Sequence, residues 1–293
     1  MAGGAEGQDR RSGQHARYGD AGTTGGAVQS GKHQHRADTA RNLLIKLSGM
    51  NMKEWEITSL GAYMNCIQSN FPYGYLYRGL SNVDDYDLVP TIGRYFTEFQ
   101  KAGKTKQDLL FEESQSFRIF YKEAKGYIDR DPGSYWEWLA IGQHHGLPTR
   151  LLDWSYSAAV ALFFAVDSKG AHDAVVYVLA DSVKFLSINQ EQEIDPLSCK
   201  ELVAYLPRHV TPRMRAQSGL FTIHPDPTEP LRANVVARLI IPRRFCFSVF
   251  HGLNIMGINR KTLFPDIDGL SAWVKKMKYE TAIDYAISSR ENK

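Results

Sequence analysis

Three cysteines are all that the 293 residues contain. Cys66, Cys199 and Cys246 stand far apart and share neither zinc-ligand nor disulfide-framework spacing, which fits free thiols in a reducing compartment. Long apolar runs are also missing. The longest, Ala158 to Val166, is well short of the roughly 20 residues a spanning helix needs, and the N-terminus lacks the charged-then-apolar pattern of an export signal. Neither sign of charge dominates: 35 Lys and Arg against 32 Asp and Glu leave +3, too little to argue for nucleic acid by composition, though a local basic patch is allowed. No internal repeat is visible, and no pattern encodes an oligomeric state. What is present, 43% hydrophobic and 12% aromatic residues, suffices for a substantial core. A soluble, cytoplasmic protein with no membrane contact is expected.

The first 45 residues, most plainly up to Arg41, are rich in Gly, Arg, His, Gln and Asp and nearly devoid of large apolar side chains, so they read as a disordered tail. His15, His33 and His35 within it have no ligand spacing. Met50 and Met52 offer alternative translation starts just ahead of the first element. From about Lys53 to the end no linker-like composition intervenes, which predicts one α+β domain: a central mixed or antiparallel sheet flanked by helices.

Within that domain, Leu60, Tyr63, Met64 and Ile67 recur at helical spacing behind Thr58 or Ser59 as cap. Tyr75 to Gly79 alternates like a strand, with Leu76 and Arg78 on one face. Leu110, Phe117, Phe120, Tyr121, Ala124 and Tyr127 trace a helical stripe, with Glu112 and Glu113 early in that helix. Ala174 to Leu179 reads as a strand buried on both faces, Ala216 to His224 and Val235 to Ile241 as further strands, and Phe245 to Leu253 as a helix. Ile267, Leu270, Trp273, Val274 and Met277 form a final helical stripe. Ser182 to Arg215, long, polar and dotted with prolines, is expected to be a loop that covers a site.

The chemistry concentrates in Gln143-His144-His145-Gly146-Leu147-Pro148-Thr149-Arg150-Leu151-Leu152-Asp153-Trp154-Ser155, which runs directly into the apolar segment from Ala158. Gly146 and Pro148 put the two histidines on a turn or a helix end, Leu151 and Leu152 begin a second element, and Ser155 or Ser157 caps the helix that follows. An internal bridge from Arg150 to Asp153 is the economical account of the block's middle. Arg78, Arg94, Arg150 and the later cluster Arg208, His209, Arg213 and Arg215 are either structural pairs or the lining of an anion site.

Tyr77-Arg78-Gly79, Arg94, the central block, Gln217-Ser218-Gly219-Leu220-Phe221, Gly257-Ile258 and Leu263-Phe264-Pro265-Asp266 follow one another in an order that resembles the FRG domain, named for an aromatic-Arg-Gly motif and met in bacterial and phage proteins. A further resemblance is to ADP-ribosyltransferases of the arginine-serine-glutamate class. It implies NAD as co-substrate, a dinucleotide held by Arg78, Gly79, Arg94, Arg150 and Gln143, chemistry by His144, Asp153, Ser155 and Gln217, and a protein or nucleic-acid acceptor. Gln217 stands where that class has glutamate, and Glu229 and Glu280 are the downstream carboxylates. Two other readings stay open: a nucleotide- or nucleic-acid-binding module without catalysis, and a hydrolase using His144, His145 and Asp153. No His-Glu-x-x-His or paired-cysteine spacing is present, so no metal is expected.

Overall fold

The run Ala174-Val175-Val176-Tyr177-Val178-Leu179-Ala180 has no polar side to turn to water, so it is stable only as a strand covered on both faces. All seven of its residues are buried. The computed structural model of the chain describes residues 52–280, apart from 85–86, 129–130, 169–171, 181 and 209–210, together with Ile283. The tail expected over residues 1–45 and the start at Met50 lie outside the described residues.

The strands are β1 (Lys53–Glu56), β2 (Tyr75–Leu80), β3 (Leu151–Ser155), β4 (Ala174–Ala180), β5 (Lys184–Phe185), β6 (Val203–Tyr205), β7 (Gly219–Ile223) and β8 (Val235–Ile241). They form one mixed sheet in the order β1-β8-β4-β2-β3-β7-β6-β5, with only the outer pairs β1/β8 and β5/β6 parallel. The longer helices are α1 (Leu60–Asn70), α2 (Lys106–Glu123), α3 (Tyr135–His144), α4 (Ala158–Val166), α5 (Arg243–Ile255) and α6 (Ile267–Lys275). Side-chain oxygens expose the logic of their starts: Ser59, Thr105, Ser134 and Ser157 each accept an amide of the first turn that would otherwise be unpaired. The α+β class and the mixed sheet flanked by helices are as expected.

One sheet face carries two separate helical layers. Tyr77, Val176, Val178, Ala237 and Leu239 pack with α4, Tyr63 of α1 and Val249 and Leu253 of α5. Leu151, Val203, Tyr205, Phe221 and Ile223 pack with Phe117 of α2 and Trp136, Trp138 and Leu139 of α3. Leu76, Leu152, Trp154, Tyr177 and Leu220 make the opposite face, covered by Leu88, Val183 and Leu231 from loops.

Four expectations need correction. The segment Ser182 to Arg215 is not one long loop: it contributes β5 and β6 to the sheet, and Val203, Ala204 and Tyr205 are buried. Its prolines lie outside those strands, so they do not prevent pairing. Along α2 and just after it Phe117, Phe120, Tyr121 and Ala124 pack into the core as expected, but the fully buried residues of the early turns are Leu109 and Glu113 in place of Leu110, and Tyr127 is exposed. The phase is set by Glu113, which is buried because Arg150 reaches it: Arg150 Nε lies 3.0 Å from Glu113 Oε1, and Nη2 bonds Oε2. Arg150 is therefore paired with Glu113 and not with Asp153. Finally, Ile267, Leu270 and Val274 of α6 are exposed; it is Trp273 and Met277 that engage Asn254 of α5.

Arg150 and Glu113 are 4% and 1% exposed, so removing one charge strands the other without water. We expect Glu113→Gln to lower unfolding free energy by about 3–5 kcal/mol in urea titration. The exposed Lys101–Glu98 pair should change it by less than about 1 kcal/mol when Glu98 is replaced by Gln.

Candidate functional site

Strand β2 gives each residue of its Tyr77-Arg78-Gly79 motif a separate task. The Tyr77 ring is buried against α4 and its hydroxyl donates to the Phe71 carbonyl at 3.2 Å. Gly79, on the same face, is needed because a Cβ there would overlap the Ala161 carbonyl of α4. Arg78 points to the other face with Leu76.

Next to this motif the sheet parts. β2 and β3 share a single register pair, Tyr77 with Ser155. Beyond it the Asp153 carbonyl accepts from Arg78 Nη1 at 2.7 Å, and the Asp153 carboxylate is 3.4 Å from the same nitrogen. A guanidinium thus occupies a place where continued pairing would put a backbone amide. The parting opens into a cleft of about 430 Å³ between the two helical layers, within the size range of small-ligand sites. Arg78, Gly79, His144, Asp153, Ser155 and Gln217 all line it, so strands and helix ends far apart in sequence bring these side chains to one place. Gln143, Arg94 and Arg150 do not line it. Gln143 acts behind the wall: its Nε2 donates to Asp153 Oδ2 at 3.1 Å and its Oε1 accepts from Thr149 Oγ1 at 2.7 Å. Arg94 Nε donates to the Val89 carbonyl at 3.1 Å, and Arg150 serves Glu113.

Several lining groups have scaffold duties as well. Ser155 Oγ donates to the Gln217 carbonyl at 2.7 Å and accepts from the Ser157 amide at 3.0 Å. Gln217 is not on a strand, as expected from the sequence, but at the C-terminal end of the short helix Pro212–Ala216. Its Nε2 donates to the Leu263 carbonyl at 3.1 Å. Phe164 and Phe264 also line the cleft and were not expected as site residues, whereas Arg213 lines it as one member of the arginine cluster read from the sequence as either structural pairs or an anion-site lining. Within that cluster Arg208 pairs with Glu191, Arg213 with Asp266, Arg215 is exposed and His209 lies outside the described residues.

The electrostatics favour an anion. Burial is the chief cause that holds Arg78 below the ordinary arginine value; Asp153 offsets it and Arg94 adds repulsion. Among the described residues Arg78 Nε has no hydrogen-bond partner. Asp153 is the one carboxylate among the described residues that line the cleft, and its side chain is 56% exposed. Burial, then His145 and Arg213, push the His144 imidazole down, so it is neutral at pH 7. His145 itself is exposed and does not line the cleft. Glu229 and Glu280 do not line it either, and Glu280 pairs with Lys275. Among the described residues no three His, Cys, Asp or Glu side chains converge as metal ligands.

Residues 73–174 match the family model of the FRG domain, a span that starts just ahead of β2 and ends on the first residue of β4. No curated protein and no solved structure matches the chain. No described helix is long and apolar enough to cross a membrane.

Behind the site His224, 3% exposed with no partner for Nε2 among the described residues, is pushed down to about 4 by burial and then by Arg78 and Arg150. The unfolded chain takes up that proton near pH 6.5, the native chain only near 4, so this group's stabilisation is lost as pH falls through that window. Between pH 7 and 5 the loss is about 2 kcal/mol. In urea titrations His224→Gln should show a pH dependence flatter than the wild type by that amount.

Proposed function

Because the chain carries an FRG domain whose Arg78 strand and Ser155 strand frame the cleft, we propose that the cleft binds NAD and transfers its ADP-ribose to a nucleophilic acceptor, protein or nucleic acid. The observation that carries this reading is topological: β2 with Arg78, β3 with Ser155 and β7, which follows Gln217, are consecutive neighbours in the sheet. The resemblance to the arginine-serine-glutamate class requires those three segments around one site.

In this reading Arg78 clamps a phosphate with its planar fork. Ser155, locked by two hydrogen bonds, shapes the wall beside the ribose. The glycosidic bond to nicotinamide breaks with the electron pair leaving on the nicotinamide nitrogen, and the ribose C1′ becomes cationic. Gln217 offers no charge to that cation and its amide is engaged by Leu263, so Asp153 takes the stabilising role, held in place by Gln143. Neutral His144 accepts the proton of the acceptor as it bonds to C1′.

A second reading, a nucleotide- or nucleic-acid-binding module without catalysis, is favoured by the scaffold bonds that Ser155 and Gln217 already make. Incubation with labelled NAD and protein, DNA or RNA acceptors separates the two. Nicotinamide release with label on an acceptor supports transfer; saturable ADP-ribose binding with no release leaves only the binding module.

For the transferase, Asp153→Asn should lower kcat about 100-fold with little change in KM, the scale of a lost transition-state contact. Arg78→Lys should instead raise KM about 10-fold, since it keeps charge and loses the fork. Because His144 is held below its ordinary value of 6.5, the acid limb of the kcat profile should fall below pH 6.5 and vanish in His144→Gln.

A further inference from the structure

The block Leu263-Phe264-Pro265-Asp266 reaches the cleft through one side chain. Phe264 lines it, with the edge of its ring system packed against Phe164 at 6.0 Å between centroids. The guanidinium of Arg213 lies 5.5 Å from the Phe264 ring and that of Arg260 5.7 Å from it. Both arginines are charge-paired: Arg260 Nε with Asp167 Oδ2 and Arg213 Nε with Asp266 Oδ2, each at 2.6 Å.

The two pairs differ in how exposed the carboxylate is and in what it does. Asp167 is 7% exposed and also receives Lys276, so Arg260 is a fixed structural partner. Arg213 and Asp266 are each 34% exposed, and Arg213 lines the cleft together with Arg78. Asp266 divides its oxygens between two tasks. Oδ1 accepts from the Gly269 amide at 2.8 Å as the N-cap of α6, and Oδ2 holds Arg213. Its carboxyl is kept below the usual range by the Arg213 hydrogen bond first and the Gly269 amide second.

We propose that Arg213 is a second anion-binding residue of the cleft, facing a phosphate-bearing ligand beside the Phe264 ring, and that Asp266 Oδ2 competes with the ligand's phosphate oxygen for it. A phosphate offers the same charge and oxygen geometry as the carboxylate, so the exchange conserves the charge-assisted bond on Arg213. The Phe264 face keeps the guanidinium in the cleft while its partner changes. Asp266 returns its cap to α6 through Oδ1 in either state, so the exchange does not require that helix to unravel. The inference rests on the cleft as a phosphate-binding site and deepens it; it does not rest on transfer chemistry.

Opposite signs in two variants test it, with ADP-ribose binding read by calorimetry. Asp266→Asn retains a capping oxygen and removes the competing charge, so the Kd for ADP-ribose should fall about three-fold. Arg213→Gln should raise it about 10-fold or more, and its affinity should depend less steeply on added salt than that of the wild type. Partial unfolding cannot tighten binding, so the Asp266→Asn gain separates competition from damage. Unchanged Kd in both variants alongside weaker binding by Arg78→Lys overturns the role of Arg213 and leaves the site reading intact. Binding by the wild type without nicotinamide release sinks the transferase and leaves Arg213 in place. Failure of the wild type to bind ADP-ribose overturns both.

Discussion

A guanidinium stands in for a ladder bond at the centre of this sheet. Arg78 Nη1 bonds the Asp153 carbonyl at 2.7 Å at the point where β2 and β3 stop pairing, and the cleft exists because they stop. A sheet opened at its middle leaves a carbonyl without its ladder partner, and such a group must be met by another donor or by water. Arg78 satisfies that carbonyl while bringing charge to the gap. The helical layers on either side then need only keep apart, which Gly79 ensures on one side by letting α4 settle directly on β2. Closure of the gap and the positive charge beside it are thus consequences of the same side chain.

The arginines of the central region are sorted by how much water they lose. Arg150, 4% exposed, has a carboxylate entirely to itself in Glu113. Arg78, 13% exposed at its side chain, has a carbonyl and a share of Asp153, which also serves Gln143. Arg213, at 34%, has Asp266, a carboxylate with another employment. The progression from committed to shared pairing follows access to the cleft, as expected if desolvation sets how complete a partner must be.

Much of this was legible in the sequence because local patterns carried it. The alternation from Tyr75 to Gly79, the all-apolar run from Ala174 and the capped helix after Ser157 each appear where their periodicity put them. The gathering of Arg78, His144, Asp153 and Ser155 was also anticipated, through the resemblance that assigned them to one site. What was not legible depended on contacts with no local signature. Glu113 looked like a carboxylate of a helix start, and only Arg150, distant in the chain, turns it inward and shifts the phase of α2. Val203-Ala204-Tyr205 is too short to stand out among prolines, and β7 makes it a strand by pairing with it. Gln217 sits in an αR turn ahead of β7, with Ser218 at φ 48°, a break that residue types alone did not mark.

The position of β8 bears on how the protein is made. It lies between β1 and β4, so the first strand of the described sheet is paired only by the last. On a ribosome, β4 can meet β2 as soon as both have emerged, but β1 and the outer edge of β4 wait for Val235 to Ile241. Until then that edge of β4, apolar on both faces, is an unpaired template open to neighbouring chains. Emergence of β8 is therefore also the step that closes this adhesive edge of the nascent sheet.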